Sequence, residues 1–223
     1  FEGSLVAAGP DGSLAFQTED GRREVSANNL VRWGAVAEPD RPPLFLLHDG
    51  TLLVAGILEV TESQLALDSD TLGLVRLPRE QLAGMVLQLP ARNVDRDRLL
   101  DDAVDNDEET ARVVMLNGDR MRGELIELDD RSVLLRTAVG PVKFEFERVS
   151  TLTFASATRV PPPLPGNATV VGLMDGTRVA VTEFAIDDPK AVLTTVGGLS
   201  WKTEAKAIVF VQPAPARIVR LSD

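Results

Sequence analysis

The sequence predicts a mainly β protein in which one small, five-stranded unit recurs along the chain. Short apolar runs alternate with glycine-containing turns over nearly all of the 223 residues, and this spacing of runs is typical of antiparallel strands. The same order of runs and turns then repeats several times, which is the signature of a tandem array. Five short strands within about 45 residues is the element count of a small meander barrel.

Each unit opens with a hairpin and a bent second strand. Asp-Gly and Asn-Gly pairs between apolar runs favour two-residue type I′ turns, in which both central residues have positive φ. A glycine inside the following run predicts a β-bulge or a sharp bend. The turn residues are Asp49, Gly50, Asn117, Gly118, Asp175 and Gly176, and the bend residues are Gly56 and Gly123. We expect all eight to have a structural role.

Three further runs complete each unit. The third and fourth are separated by a second glycine turn, at Gly73, Gly140 or Gly197-Gly198, and the fifth closes the unit. The runs that close the three complete units are Leu82–Leu87, Val149–Phe154 and Ala207–Val211. We therefore expect three complete small barrels.

The order of these units predicts the domain organisation. Residues 1–38 match a unit without its first strand, which we expect to lie upstream of residue 1. The complete barrels are expected at 44–90, 111–157 and 167–213. Between them lie an acidic, helical linker at 91–110 and a proline-rich linker at 158–166, and residues 214–223 are expected to lead into a further domain.

The acidic linker is the one segment that predicts a helix. Leu99, Leu100, Ala103 and Val104 share one helical face, and Asp95 is a suitable N-cap. Eight carboxylates between residues 95 and 109 suggest calcium, but no frame supplies the glycine at the sixth position of an EF-hand loop. A solvated face is the favoured interpretation, with a metal site as the alternative.

The composition excludes several classes of site. Without cysteine there are no disulfides, thiolate metal sites or cysteine nucleophiles, and with one histidine no site has two imidazole ligands. No window reaches the roughly 18 apolar residues that a membrane-spanning helix needs. The formal net charge of −11 disfavours nucleic acid. We expect no cofactor and no metal.

A few residues invite a functional reading. His48 precedes a turn and is a possible base, but no nucleophile motif accompanies it, so a structural role is favoured. Asp-Gly-Thr at two turns differs from the Asp-Thr/Ser-Gly order of acid proteases. Trp33 is expected in the core, because its equivalents Met85 and Leu152 are apolar. Trp201, beside Lys202, is the candidate for a surface contact, for example with a sugar ring.

Two strings resemble a known class of repeat. Leu116–Gly123 and Leu47–Gly56 are similar to the "L-x-N/D-G-D-x-x-x-G" units of large planctomycete-type bacterial surface or periplasmic proteins. That resemblance implies Sm-like or Src-homology-type barrels and a periplasmic or extracellular location. Residues 215–223 resemble the segment that precedes a carbohydrate-binding module of galactose-binding-like fold in such proteins, and that module is not part of this sequence.

These observations favour a non-enzymatic binding or spacer module. It would present loops and strand edges to a protein or peptide, or hold an adjacent sugar-binding domain in place. The alternatives are direct carbohydrate binding through Trp201 and a hydrolase that uses two carboxylates about 5 to 10 Å apart. An Sm-type ring on RNA is disfavoured by the charge. The sequence leaves the oligomeric state open.

Overall fold

The computed structural model describes residues 2–9, 12–39, 41–90, 96, 99–100, 110–155, 164–166, 168–187 and 189–213. The chain is mainly β: 61% is strand, the sheets are antiparallel, and the described residues contain no helix of seven or more residues. The predicted fold class is therefore confirmed at the level of a mainly β chain. We call the four segments that the sequence analysis identified the first, second, third and fourth repeats.

The strands follow the predicted order. The first repeat has β1 (Ser4–Ala8), β2 (Ser13–Thr18), β3 (Gly21–Ser26) and β4 (Trp33–Gly34). The second has β5 (Leu44–Leu47), β6 (Leu52–Val54), β7 (Gly56–Val60), β8 (Gln64–Ser69), β9 (Gly73–Pro78) and β10 (Leu82–Val86). The third has β11 (Ala111–Met115), β12 (Arg120–Leu128), β13 (Ser132–Thr137), β14 (Gly140–Glu145) and β15 (Val149–Thr153). The fourth has β16 (Thr169–Leu173), β17 (Arg178–Asp187), β18 (Lys190–Thr195), β19 (Ser200–Glu204) and β20 (Ile208–Pro213).

Strand pairing is the same in all three complete repeats. The first strand lies between the second and the fifth, and the third lies between the second and the fourth, as in β14-β13-β12-β11-β15. A single 3₁₀ turn leads into each fifth strand, at Ala27–Asn29, Arg79–Gln81, Phe146–Arg148 and Ala205–Ala207.

The expected closed barrels are not formed. The fourth and fifth strands of a repeat share no ladder among the described residues, so each meander stays open between them. The cause is visible in β10 and β15: each has its own first strand on one edge and a strand of another repeat on the other edge.

The bend in the second strand is set by close backbone approach. Gly123 pairs with Ala111 of β11, and the next residue pairs with Arg136 of β13. A Cβ atom at Gly123 would lie 2.6 Å from the carbonyl oxygen of Arg136, so the two strands meet too closely there for a side chain. By contrast, Gly56 begins β7 without a positive φ, and a Cβ there would lie 3.9 Å from the nearest oxygen.

The β-bulges lie just beyond these glycines. The register shifts between Ile57 and Glu59 in the second repeat and between Leu125 and Glu127 in the third. The prediction of a bulge at Gly56 or Gly123 itself was therefore wrong, because the bulge in each strand lies a few residues later. The extra residue is Leu58 or Ile126, both exposed, because the residue skipped by the ladder turns away from the core.

The hairpin turns differ in type from the prediction. The N–H of Gly50 donates to the carbonyl of Leu47, and the N–H of Leu47 donates to the carbonyl of Thr51. Of the described residues only glycines have positive φ, and Gly50 has φ of 87°. The connection is therefore a three-residue loop with a type I turn and a glycine bulge, not a two-residue type I′ turn. Gly118 and Gly176 form the same pair of bonds.

The four repeats form two compact domains. Residues 39–162 form one, which we call the continuous domain, and residues 1–38 with 163–223 form the other, which we call the split domain. The fifth strands join the repeats inside each domain. In the continuous domain β10 pairs with β15, with Met85 opposite Leu152, and in the split domain β4 pairs with β20, with Trp33 opposite Val211.

The linker between the second and third repeats contributes to the core of the continuous domain. Leu99 and Leu100 are helical and pack against a buried cluster that consists of Leu44, Leu46, Leu52, Val54 and Val86. Arg96, also helical, donates from Nε to the carbonyl of Pro90 at 2.7 Å. The carboxylates of 95–109 that suggested calcium lie outside the described residues, as do most of the proline-rich linker and residues 214–223.

Candidate functional site

Trp201 is not a surface platform. Its side chain is only 7% exposed, which corrects the expectation of a surface contact there. The residues of β19 alternate between exposed and buried, and Trp201 falls on the buried face opposite Leu193 of β18, while Lys202 is exposed. An inward-facing indole offers no face for a sugar ring to stack on, so the carbohydrate alternative loses the residue on which it rested.

Trp33 is half-buried and packed within the split domain. Its Nε1 donates to the carbonyl of Gly3 at 2.9 Å, and its ring centre lies 5.7 Å from that of Phe16. The indole therefore has both a polar partner and an aromatic partner, as a structural tryptophan requires. The expectation that Trp33 belongs to the core therefore holds in part, since the residue is only partly buried.

The turn carboxylates and amide are engaged in their own hairpins. Oδ1 of Asp49 accepts the N–H of Thr51 and Oδ1 of Asp175 accepts that of Thr177, both at 2.9 Å. Asn117 accepts the N–H of Asp119 at 3.1 Å. An aspartate and an asparagine thus serve the same local bond, which supports a structural role in the turn.

One concave site lies in the continuous domain, where the second and third repeats meet. It is a groove of about 560 Å³, within the size range of ligand sites, and we call it the polar groove. Its lining residues are His48, Glu62, Ser63, Arg79, Glu80, Leu82, Thr110, Ala111, Glu124, Leu125, Phe154 and Ala155.

The polar groove has an apolar floor and a charged rim. Leu82, Ala111 and Phe154 are buried, whereas Glu62, Glu80 and Glu124 are exposed. This difference in exposure follows from the fold. The floor residues lie in or next to strands at the junction of the repeats, whereas Glu62 lies in a loop and Glu80 in a 3₁₀ turn.

The charge of the polar groove is negative. Its ionised lining groups are three carboxylates and the guanidinium of Arg79, which gives a net formal charge of 1 − 3 = −2. Burial lowers the pKa of His48 below its ordinary value, although neighbouring Asp49 acts to raise it. The imidazole is therefore uncharged at neutral pH and does not offset the acidic rim.

A second groove of about 310 Å³ occupies the equivalent place on the other side of the β10–β15 ladder. Because that ladder relates the second repeat to the third, each lining position of the proline groove has a counterpart in the polar groove. We call it the proline groove. Its lining residues are Pro42, Pro43, Ile57, Leu87, Gln88, Asp130, Phe146 and Glu147.

No carboxylate of the polar groove is buried. Three of them line one cleft, as the hydrolase alternative requires, but all three are exposed. In the part of the chain that the structure describes, no group of three or more histidine, aspartate or glutamate side chains is placed to hold a metal ion. Exposed carboxylates on a groove rim suit a positively charged organic group, such as a lysine side chain, rather than a metal ion.

The sequence analysis missed the polar groove, apart from His48. Its residues come from two repeats and from loops that carried no recognised motif. One signal was present: Glu62 and Asp130 stand at corresponding positions of the two repeats, and so do Glu80 and Glu147. An acidic residue that recurs in a solvent-facing loop was the available pointer to a shared surface.

Comparison with known proteins does not extend this picture. No protein-family model matches the sequence, and no curated protein has significant similarity to it. Among the described residues, no helix has the length and apolar character needed to cross a membrane.

Proposed function

We propose that the protein is a non-catalytic binding module whose polar groove holds a peptide segment of a partner protein. The preferred segment has an apolar side chain next to lysine or arginine. The observation that carries this proposal is the combination of a buried apolar floor and a rim with net charge −2. Apolar contact supplies affinity, while complementary charge selects the partner and speeds the encounter.

The floor and rim define how such a segment would bind. A leucine or phenylalanine of the peptide would cover Leu82, Leu125 and Phe154, and a flanking basic residue would lie near Glu62 or Glu80. Because these carboxylates are exposed, each contributes modestly and is screened by salt. Binding is therefore expected to weaken as the salt concentration rises.

Titration with two synthetic peptides tests the proposal. The probes are Ac-Gly-Lys-Leu-Lys-Gly-NH₂ and its acidic counterpart Ac-Gly-Glu-Leu-Glu-Gly-NH₂, followed by the backbone amide NMR signals of Ser63, Leu125 and Ala155. We expect the basic peptide to shift these signals and the acidic peptide to leave them unchanged. Equal binding of both peptides, or shifts confined to residues outside the groove, would overturn the proposal.

The variant Glu80→Gln sharpens that titration. It removes one exposed rim charge and keeps the size of the side chain, so the fold is expected to persist. The basic peptide should bind about three- to tenfold more weakly, the scale of about 1 kcal/mol for an exposed ion pair. Glu59→Gln, an exposed carboxylate outside the groove lining, is the matched control and should bind as the unmodified protein does.

A second candidate function is strand addition at β4. The fifth strands β10, β15 and β20 each pair with the first strand of their own repeat, and within the described part of the chain β4 pairs only with β20. Val31, just before β4, is 75% exposed. An extended segment, either from a partner or from the first strand expected upstream of residue 1, could take the place that β5, β11 and β16 occupy in the other repeats.

A peptide with the sequence of residues 110–120 tests strand addition, because it contains β11, the first strand of the third repeat. Hydrogen exchange at the amides of Trp33 and Gly34 should slow when this peptide binds. The peptide with Val113 and Val114 replaced by proline should have no effect, since proline donates no ladder bond. Equal protection by both peptides would overturn this candidate.

We further propose that each complete repeat is an open small barrel of Sm-like or Src-homology type within a larger extracytoplasmic bacterial protein. The 3₁₀ turn before every fifth strand and the shared strand order support the barrel type. The resemblance to surface and periplasmic repeats supports the location and a role in positioning a sugar-binding domain. Fractionation of the producing cells tests the location, and recovery only in the cytoplasm would overturn it.

A further inference from the structure

We propose that the continuous domain has a second binding site of the same class in the proline groove, and so binds two basic-apolar segments at once. This inference rests on the function proposed for the polar groove. It goes further by assigning a ligand to a separate cavity and by fixing the number of ligands per chain.

The pairing of β10 with β15 makes the two grooves comparable. Gly84 lies opposite Thr153 and Val86 opposite Thr151, so the ladder relates the two repeats by an approximate twofold rotation. This rotation exchanges Leu125 with Ile57 and Phe154 with Leu87. Both grooves therefore have a floor made of the bent second strand of one repeat and the residue after the fifth strand of the same repeat, while the other repeat supplies the 3₁₀ turn of the rim.

The acidic rim recurs at the same positions. Asp130 is the counterpart of Glu62 in the loop after the second strand, and Glu147 is the counterpart of Glu80 in the 3₁₀ turn. All four carboxylates are exposed. Both grooves therefore present negative charge at the same two positions of the rim, which is the basis for assigning them the same class of ligand.

The differences between the grooves leave the net charge unchanged. Phe146 replaces Arg79, and Gly56 replaces Glu124, so one positive and one negative charge are lost together. The proline groove therefore carries two lining carboxylates and no lining cation, again a net of −2. Arg131 stands at the position of Ser63 but is not a lining residue of the proline groove. It lies 3.6 Å from Asp130, and because both side chains are largely exposed this pair is weak.

The apolar lining of the proline groove is richer. Pro43 stands where the polar groove has Ala111, and the ring of Phe146 stands where Arg79 lies. The smaller volume of about 310 Å³ suits one apolar side chain of the ligand, at the lower end of the range for ligand sites. The two grooves are thus suited to the same class of peptide segment, and apolar contact contributes a larger share of binding in the proline groove.

Two sites on one rigid ladder imply bivalent binding. A partner that carries two basic-apolar segments joined by a linker of suitable length binds both grooves, and the second contact forms at a high effective concentration. We expect a gain of tenfold or more over a single segment when the linker spans the grooves.

Isothermal titration with Ac-Gly-Lys-Leu-Lys-Gly-NH₂, followed in parallel by NMR, tests the second site. We expect two peptides per chain and shifts at the amides of Gln88 and Phe146 as well as at those of the polar groove. Glu147→Gln should weaken the second set of shifts about three- to tenfold and leave the first set unchanged, and Glu80→Gln should do the reverse. Glu59→Gln is the control for both.

The outcomes separate this inference from the proposed function. One peptide per chain, with shifts in the polar groove alone, would overturn the second site and leave the proposed function intact. Shifts in neither groove would overturn both. Two peptides per chain whose binding is unaffected by Glu147→Gln would also overturn the second site, because the additional peptide would then lie elsewhere.

Discussion

The continuous and split domains join their repeats by the same device and differ in how well it is supported. In both, two fifth strands pair in antiparallel fashion. β10 has five residues, most of them buried, and is backed by β5 on its other edge. β4 has only two residues, one half-buried and one exposed. Within the described residues, a fifth strand is therefore longer and more buried where a first strand lies beside it than at β4.

This contrast separates two sources of sheet stability. The ladder between repeats is common to both domains, so its hydrogen bonds do not account for the difference in burial. The difference in burial comes instead from the apolar residues that the first strand adds to the core. Four sets of variants compare the two domains, in decreasing order of the change in stability that we expect.

Met85→Ala should destabilise the continuous domain most. Met85 is fully buried opposite Leu152, and removal of such a side chain costs about 2–5 kcal/mol of unfolding free energy. Trp33→Ala, at the equivalent position of the split domain, should cost less, since the indole is only partly buried. Chemical denaturation with hydrogen exchange assigned to each domain measures both, and a larger cost for Trp33→Ala would contradict the comparison.

Gly34→Ala should break the ladder of the split domain. Gly34 has φ of 77°, and a Cβ atom there would lie 1.9 Å from the carbonyl oxygen of Val209. We expect a cost of about 2 kcal/mol or more and faster exchange at Phe210. Gly118→Ala, with φ of 89° but open space around it, is the control and should cost about 1 kcal/mol. Equal costs for the two variants would show that the positive φ alone, and not the clash with Val209, sets the loss of stability.

Asp49→Ala and Asp175→Ala should have equal effects, each in its own domain. Both side chains accept the N–H of a threonine that is almost fully buried, so each loss should cost about 1 kcal/mol. Asn117→Ala should cost less, because the N–H of exposed Asp119 can bond to water instead. A transfer of the Asp175→Ala effect to the continuous domain, detected by hydrogen exchange, would show that the two domains unfold together.

Acidification should weaken the continuous domain through His48. Burial lowers the pKa of this histidine, so the unfolded chain binds the proton more readily, and stability falls as the pH drops below about 6.5. The split domain has Met174 at the equivalent position and lacks this dependence. His48→Gln should flatten the melting temperature of the continuous domain between pH 5.5 and 7; an unchanged slope would exclude His48 as its origin.

The strand order was predictable from the sequence because hairpin turns and apolar runs are local signals. The pairing of repeats was not, because the inward residues of β10 and β15 read as core whether their partner lies in the same repeat or in another. The prediction of a surface contact at Trp201 was wrong for a different reason. Lys202 beside it suggested an exposed position, but neighbouring residues of a strand point to opposite faces of the sheet. The predicted turn type was wrong because an Asp-Gly pair suits a three-residue hairpin loop as well as a two-residue type I′ turn.

The polar groove lay beyond prediction for a geometric reason. Glu62 and Glu124 lie far apart in the sequence and meet only because the second repeat is rotated against the third. Nothing in either local sequence encodes that rotation. The sequence singled out His48 as the only histidine. Its place in the groove follows from a backbone hydrogen bond, in which its N–H donates to the carbonyl of Gln81 at the end of the 3₁₀ turn.

The division of the chain into one continuous and one split domain also sets an order of assembly during synthesis on the ribosome. All partners of β10 and β15 lie within residues 39–162, so that domain can fold as soon as it emerges. The first repeat emerges earlier, but β4 must wait for β20, about 175 residues later. The edge of β4 that pairs with β20 therefore stays unpaired until the fourth repeat is made, so the first repeat depends on protection from aggregation for longer than the continuous domain does.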